Sequence, residues 1–368
     1  MNHRQRIAAV LEGQIPDRAP VVCRLDLWHA AQRFHGDLGG HLRGRDLVTV
    51  QRDLGMGRSA RAARVFNTSW RDPVRFEQQR DGLDLHERWH LPQGTLHRVS
   101  RYDRDDEAMG LRPHVVKFAV ESPRDYELLA RLAEHVQYEP CYGEYERYDA
   151  AIGDAGYPMV ILGLSPAHDI LMSWTGYEAG YLQLADDAGP FEAAYKAWFQ
   201  ARQRMWPIMA QSPASLVMHG VNFDSAVTPP SIFARYFVPY LRPFIDCMHA
   251  AGKRVAFHLD GELTGLVDLL MACDFDVADC LACAPMTRIT LAKIMEKFAA
   301  RVVVWGGVPS TLLEDHVSDE AFAAHLAMLR DTVPANRLIV GLADQAMPTS
   351  RYDRLVRLAA FFGCEVRA

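Results

Sequence analysis

The sequence predicts an α/β fold, a (β/α)8 TIM barrel with an N-terminal antiparallel β insertion at the barrel mouth. Three observations predict it. Short apolar runs alternate with amphipathic helical patterns from about residue 159 onward. Those runs are apolar almost throughout, as parallel strands covered on both faces must be. A more polar stretch at 70–120 breaks the rhythm and alternates residue by residue, as in GLDLHERWHLPQGTLHRV, which is the pattern of exposed antiparallel strands.

The strand-like runs are 159–164 (MVILGL), 215–220 (SLVMHG), 254–261 (RVAFHLDG), 277–282 (VADCLA), 301–307 (RVVVWGG) and 337–344 (RLIVGLAD), with APVVCR at 19–24 as an early addition. Between them, PSIFARYFVPYLRPFIDCMHAAGK places apolar residues three and four apart and stops near Gly252, a helix with a glycine terminator. Six such units and one early strand suit a closed barrel better than an open sheet, and the whole of 1–368 is read as one barrel domain with the β-rich insertion at about 70–120.

The composition narrows the function. The chain has 368 residues, 49% hydrophobic and 23% charged, the balance of a folded globular protein. A net charge of -6 offers no basic field for nucleic acid or anionic lipid, so small molecules or proteins are the expected partners. There is no apolar run of the roughly 18 residues that a membrane span needs, and a cytoplasmic location is expected. Seven cysteines at such an address are read as thiols rather than as disulfides. A homodimer is left open.

In a parallel barrel the carboxyl ends of the strands converge on one rim, where chemistry collects. RVAFHLDG ends in His258 and Asp260, two residues apart and therefore on one side of an extended strand. The neighbouring runs contribute His219, Asp279 and Asp344. His258, Asp260, Asp279 and Asp344 are the expected metal ligands, and His258, Asp260 and His219 the expected acid/base residues. Each has a plainer reading: a carboxylate at a strand end caps the next helix or forms an Asx turn, and a histidine on an apolar strand is satisfied by backbone. Asn222 is the expected substrate hydrogen-bonder. Trp28, Trp174, Tyr177 and Phe223 are expected to wall the pocket. The CLAC pair stands alone, and strand alternation turns Cys280 outward if Asp279 points in, whereas Cys283 could reach the rim.

The motifs in this order resemble the uroporphyrinogen decarboxylase superfamily over nearly the whole chain. RQRIAAVLEGQIPDRAPV is similar to its opening helix and Pro-Asp-Arg-x-Pro turn, LPQGTLHR to its Gly-Thr hairpin, and SWTGYEAGYLQLADDAGPFEAAYKAW to its substrate-side helix pair. PPSIFARYFVPYLRPFIDCMHAAGKRVAFHLDG, VVVWGGVPSTLLE and RLIVGLADQAMP complete the series. The resemblance implies either tetrapyrrole decarboxylation or zinc-dependent methyl transfer with a corrinoid. In the methyltransferase branch a His-x-Cys pair and a late cysteine hold the zinc. Here the pair is His258-Leu259-Asp260, and Leu342 or Ala343 stands at the late cysteine with Asp344 as the nearest ligand type, so other divalent metals enter beside zinc. Arg24 stands alone near the first strand end, too little cationic charge for a macrocycle with eight carboxylates. The leading expectation is a metal-dependent methyltransferase acting between a small methylated substrate and a corrinoid on a partner protein. Its alternatives are a decarboxylase of a small carboxylic acid and a non-catalytic barrel that binds a ligand or a corrinoid protein.

Overall fold

The computed structural model describes residues 1–36, 42–220 and 222–367. In chain order the strands among these residues are β1 (Phe66–Trp70), β2 (Arg75–Asp81), β3 (Asp84–Leu91), β4 (Gly94–Arg101), β5 (His114–Lys117), β6 (Val136–Pro140), β7 (Val160–Ile161), β8 (Leu216–Met218), β9 (Arg254–His258), β10 (Val277–Leu281), β11 (Val303–Pro309) and β12 (Leu338–Ala343). The last six build one parallel sheet in the order β12-β11-β10-β9-β8-β7. Each apolar run read as a strand between 159 and 344 overlaps one of them, and β11 extends two residues past its run to Pro309. Consecutive strands are neighbours because the chain returns through helices such as Val238–Ala250 and Asp319–Thr332.

APVVCR does not form a full strand. It makes a single parallel bridge, Val21 to Val340 of β12, and at the other edge Ala63 bridges Val160 of β7. Between these flanking segments the Gly57 N–H donates to the Val21 carbonyl at 2.8 Å.

Strand alternation divides the buried residues into two cores. On one face Leu216, Met218, Ala256, Val277, Val303, Trp305 and Ile339 meet Ile7, Val10 and Leu11 of the helix His3–Leu11. On the other face Val217, Val255, Phe257, Ala278, Val304 and Val340 pack under the surrounding helices. A sheet apolar on both faces leaves a polar side chain no place except at a strand end. His258 shares the parity of Ala256, and Asp279 that of Val277. Both therefore lie on the inner side, at the end away from the N-terminal helix.

The polar segment at 70–120 forms the antiparallel sheet β2-β3-β4-β5. On β3 the buried positions alternate, Glu87, Trp89 and Leu91, and Trp89 packs on Trp174 with ring centroids 4.8 Å apart. The same face, through Leu85, Glu87, Arg98 and Ser100, borders the cavity above His258. The insertion is a roof whose inner side helps to shape that cavity.

One irregularity positions the site. Asp279 pairs with Trp305 and Leu281 with Gly306, leaving Cys280 as an extra residue in a β-bulge with φ of 50°. The bulge requires Gly306, where a Cβ would lie 2.5 Å from the Leu281 nitrogen and where φ is +143°. Gly306→Ala is expected to lower stability by about 2–4 kcal/mol in urea unfolding, from strain plus overpacking. Gly82→Ala, at φ +60° in open space, should lose only about 1 kcal/mol; equal losses would mean that the bulge is not tightly specified.

Candidate active site

His258 ends β9 with its side chain 7% exposed, and its two ring nitrogens face different partners. Nδ1 lies 2.9 Å from Asp279 Oδ2, while Nε2 lies 3.2 Å from Asp260 Oδ2 and 3.7 Å from Asp344 Oδ1. Asp279 is completely buried and accepts from both ends of the Arg61 guanidinium, at 2.6 Å on Oδ2 and 2.5 Å on Oδ1. Such a forked pair fixes orientation as well as charge. Arg24 donates to Asp344 Oδ1 at 2.5 Å.

These contacts set the electrostatics. Burial disfavours an Asp279 carboxylate, but the Arg61 charge and the hydrogen bonds from His258 and Arg61 outweigh it and hold the group well below the usual range. Burial likewise opposes a charged His258 ring, yet the Cys280 sulfur and the hydrogen bonds to Asp260 and Asp279 hold its pKa well above the ordinary value. Three carboxylates, Asp260, Asp279 and Asp344, stand against two guanidinium groups, Arg24 and Arg61. The charged ring of His258 balances the third carboxylate, so a cation bound at Nε2 would take the place of the ring proton.

The donor chemistry fits a divalent metal. Ligand atoms of His258, Asp260 and Asp344 lie within 4.8 Å of one another, and so do those of His258, Asp279 and Cys280. Asp279, expected as a ligand, has both oxygens engaged by Arg61 and His258. It is placed to orient the imidazole through Nδ1, leaving Nε2 toward Asp260 and Asp344, as in a carboxylate–histidine–metal arrangement.

The cluster forms the floor of a cavity of about 1160 Å³ bordered by Arg24, Arg58, Arg61, Arg98, Arg112 and Tyr102 among others. Asn222 lines it too and has φ of 55°. Tyr177 lines an adjoining cavity with Asn222 and Asp260, its hydroxyl 2.6 Å from His168 Nε2. The other expected wall residues point elsewhere. Trp28 stacks on Tyr352 and donates to the Ser350 carbonyl, Trp174 packs between Trp89 and Trp198, and Phe223 is wholly buried against Phe233 and Phe257.

His219 differs most from its expected acid/base place. It is fully buried beneath the rim, with Nδ1 3.0 Å from the Gly163 carbonyl and Nε2 3.0 Å from the Tyr240 hydroxyl. Burial pushes its pKa down to about 3, so it is a neutral core group. Cys280 differs in the opposite sense. Simple alternation turns it outward, but the bulge swings its sulfur inward, 3.3 Å from the Asp344 carbonyl and 3.7 Å from Arg61. Cys283 stays buried, 3.8 Å from the Gly307 carbonyl, and burial pushes its thiol up to about 12. All seven cysteines are free thiols.

Arg61 escapes sequence reasoning because the arginines of RSARAAR follow no strand or helix period. The pair of glycines Gly306 and Gly307, beside β10, was the one available hint of a bulge.

No family model matches the chain, and no curated protein matches its sequence. Among solved structures it resembles a methyltransferase from Methanosarcina mazei over 98% of both chains, with a TM-score of 0.57 and 11% identity, a likeness of fold. A candidate vitamin-B12-independent methionine synthase from Listeria monocytogenes aligns over 94% of this chain and 95% of its own, at 14% identity and a TM-score of only 0.37.

Two outcomes follow from this geometry. Arg61→Met is expected to lose about 3–5 kcal/mol in denaturant unfolding by stranding a buried carboxylate, and the double variant Arg61→Met with Asp279→Leu should recover much of that loss. His219 binds its proton far more weakly folded than unfolded. Its contribution to stability is therefore complete above pH 6.5 and declines as pH falls toward about 3, by up to about 1.4 kcal/mol per pH unit. His219→Gln should flatten the difference in unfolding free energy between pH 7 and pH 4.5; an unchanged difference would count against the buried neutral ring.

Proposed function

We propose that the chain is a metal-dependent methyltransferase of the uroporphyrinogen decarboxylase superfamily, moving a methyl group between a small methylated substrate and a corrinoid supplied by a partner protein. The observation that carries the reading is His258, fixed by the Arg61–Asp279 pair at Nδ1 and presenting Nε2 beside Asp260 and Asp344 on a cavity floor. Support also comes from the fold shared with the Methanosarcina mazei methyltransferase. The six-stranded sheet and its two bridged flanks are read as a (β/α)8 barrel whose blind end is filled by the N-terminal helix.

His258, Asp260 and Asp344 would hold the metal, zinc first among the divalent candidates. When bound, it would draw electron density from a substrate oxygen, sulfur or nitrogen as a Lewis acid. Asp279 fixes the ring of His258, and Arg61 keeps Asp279 ionised. In this reading Asn222 and the Tyr177 hydroxyl orient the substrate from the cavity wall.

A specific observation keeps a second reading, decarboxylation of a small carboxylic acid. The expected shortage of cations does not hold at the cavity wall, where Arg58 and Arg112 border the space and neither is ion-paired among the described residues. Carboxylate recognition is natural work for such groups.

The test begins with elemental analysis of the purified protein after incubation with zinc, where one equivalent is expected and His258→Ala or Asp260→Asn should abolish it. Free cob(I)alamin is then offered with methoxylated aromatics, methylamines, methylthiols and halomethanes, and methylation is read from the corrinoid spectrum. Failure of every donor together with release of carbon dioxide from small acids would replace methyl transfer by the second reading. Bound zinc with neither activity would point to a binding protein.

A further inference from the structure

We infer that Cys280 provides a thiolate ligand to the cation held at His258, from a different strand than the thiolates that the resemblance implies. The inference rests on the metal reading of this site and concerns the part of it that the sequence left unfilled. Residue 260 is an aspartate and the late position has no thiol, so a site built on the expected positions alone is made of nitrogen and oxygen. The structure supplies the missing sulfur from β10.

Three features place it there. Sulfur, imidazole nitrogen and carboxylate oxygen of Cys280, His258 and Asp279 fall within 4.8 Å of one another, all in buried residues. Of that group Asp279 is occupied by Arg61 and by Nδ1 of His258, so the donors with bonding capacity toward an ion are the sulfur and the ring. The Cys280 sulfur also touches the main chain of Asp344, whose carboxylate belongs to the overlapping group of His258 and Asp260. The two groups are separate and meet at His258, so a cation beside that ring draws its sulfur from one and its carboxylates from the other, with a side-chain shift to bring them together.

The backbone is arranged for this. A regular strand would send Cys280 among the helices, where Ala278 lies. Instead the residue sits at φ 50° in a bulge held open by Gly306. A left-handed conformation at a cysteine costs on the order of 1–3 kcal/mol. The two other non-glycine residues near the cavity with positive φ are Asn222 and Asp344, types that tolerate it well. Cys283, the other half of CLAC, lies against Gly307 and takes no part.

Ligation exchanges the S–H bond for a sulfur–metal bond, and the proton leaves to solvent. A mixed nitrogen, sulfur and carboxylate set is softer than a carboxylate site. It favours zinc or cobalt(II) over magnesium and calcium.

The experiment uses the full-length protein and the metal alone. X-ray absorption of the zinc-loaded wild type should show a sulfur neighbour at about 2.3 Å, and the cobalt(II) form should show a near-ultraviolet sulfur-to-metal charge-transfer band. Cys280→Ser is expected to keep one equivalent of metal, lose both sulfur signatures and bind at least about tenfold more weakly. Cys283→Ser should keep both. Stoichiometric zinc with only nitrogen and oxygen neighbours, or a cobalt spectrum unchanged in Cys280→Ser, overturns the assignment of Cys280 and leaves the metal reading intact. A wild type that takes up neither metal overturns both. The absorption measurement on the wild type decides the question even if the serine variant fails to fold.

Discussion

The forked contact of Arg61 with Asp279 is the constraint on which the site depends. A carboxylate with no exposure to water would take up a proton or seek a counter-charge, and here a guanidinium reaching in from a segment more than two hundred residues away occupies both of its oxygens. With Asp279 held as an anion, the Nδ1 side of His258 has a fixed acceptor, and the ring cannot rotate without losing it. The direction of Nε2, and with it the meeting of His258 with Asp260 and Asp344, follows from that one pair. The pair has a second effect: it joins a loop outside the main sheet to a central strand, so the rim is tied to the body by charge as well as by packing.

The two cores explain why the polar cluster lies where it does. Large apolar side chains fill the inner face from the N-terminal helix up to Trp305. Above that level the same inward parity continues into His258 and Asp279, while the outward residues remain apolar. The change from oil to ions takes place within a single residue pair along β9 and β10. Arg61 lies over the Trp305 ring at 5.8 Å, a contact through which the charged layer rests on the apolar one.

Much of this was legible in the sequence, for physical reasons that also mark its limits. The six strands could be read because double-sided burial leaves no room for polar residues inside them, so the runs are unbroken. His258 and Asp279 could be singled out because each interrupts such a run at its end. The insertion declared itself by alternation, since one face of β3 meets solvent and the other a buried tryptophan. What stayed hidden depends on depth and on irregular backbone. Nothing in SLVMHG distinguishes a histidine at the rim from one sealed under Tyr240. Trp28, Trp174 and Phe223 have the composition of a pocket wall but serve as packing, and residue type alone does not separate those roles. The inward turn of Cys280 arises from one extra residue opposite Gly306, a two-strand property that no single-strand period contains.

The helix His3–Leu11 has a further consequence for the approach to the site. Its apolar face packs through Ile7, Val10 and Leu11 against Leu216, Val277 and Ile339, near the start of their strands. The cavity above His258 lies toward the other end of the strands, bordered by β3 and β4. The shape and charge of the approach to the His258 ring are therefore set in part by Leu85, Glu87, Arg98 and Ser100 of the insertion, and not by the helix.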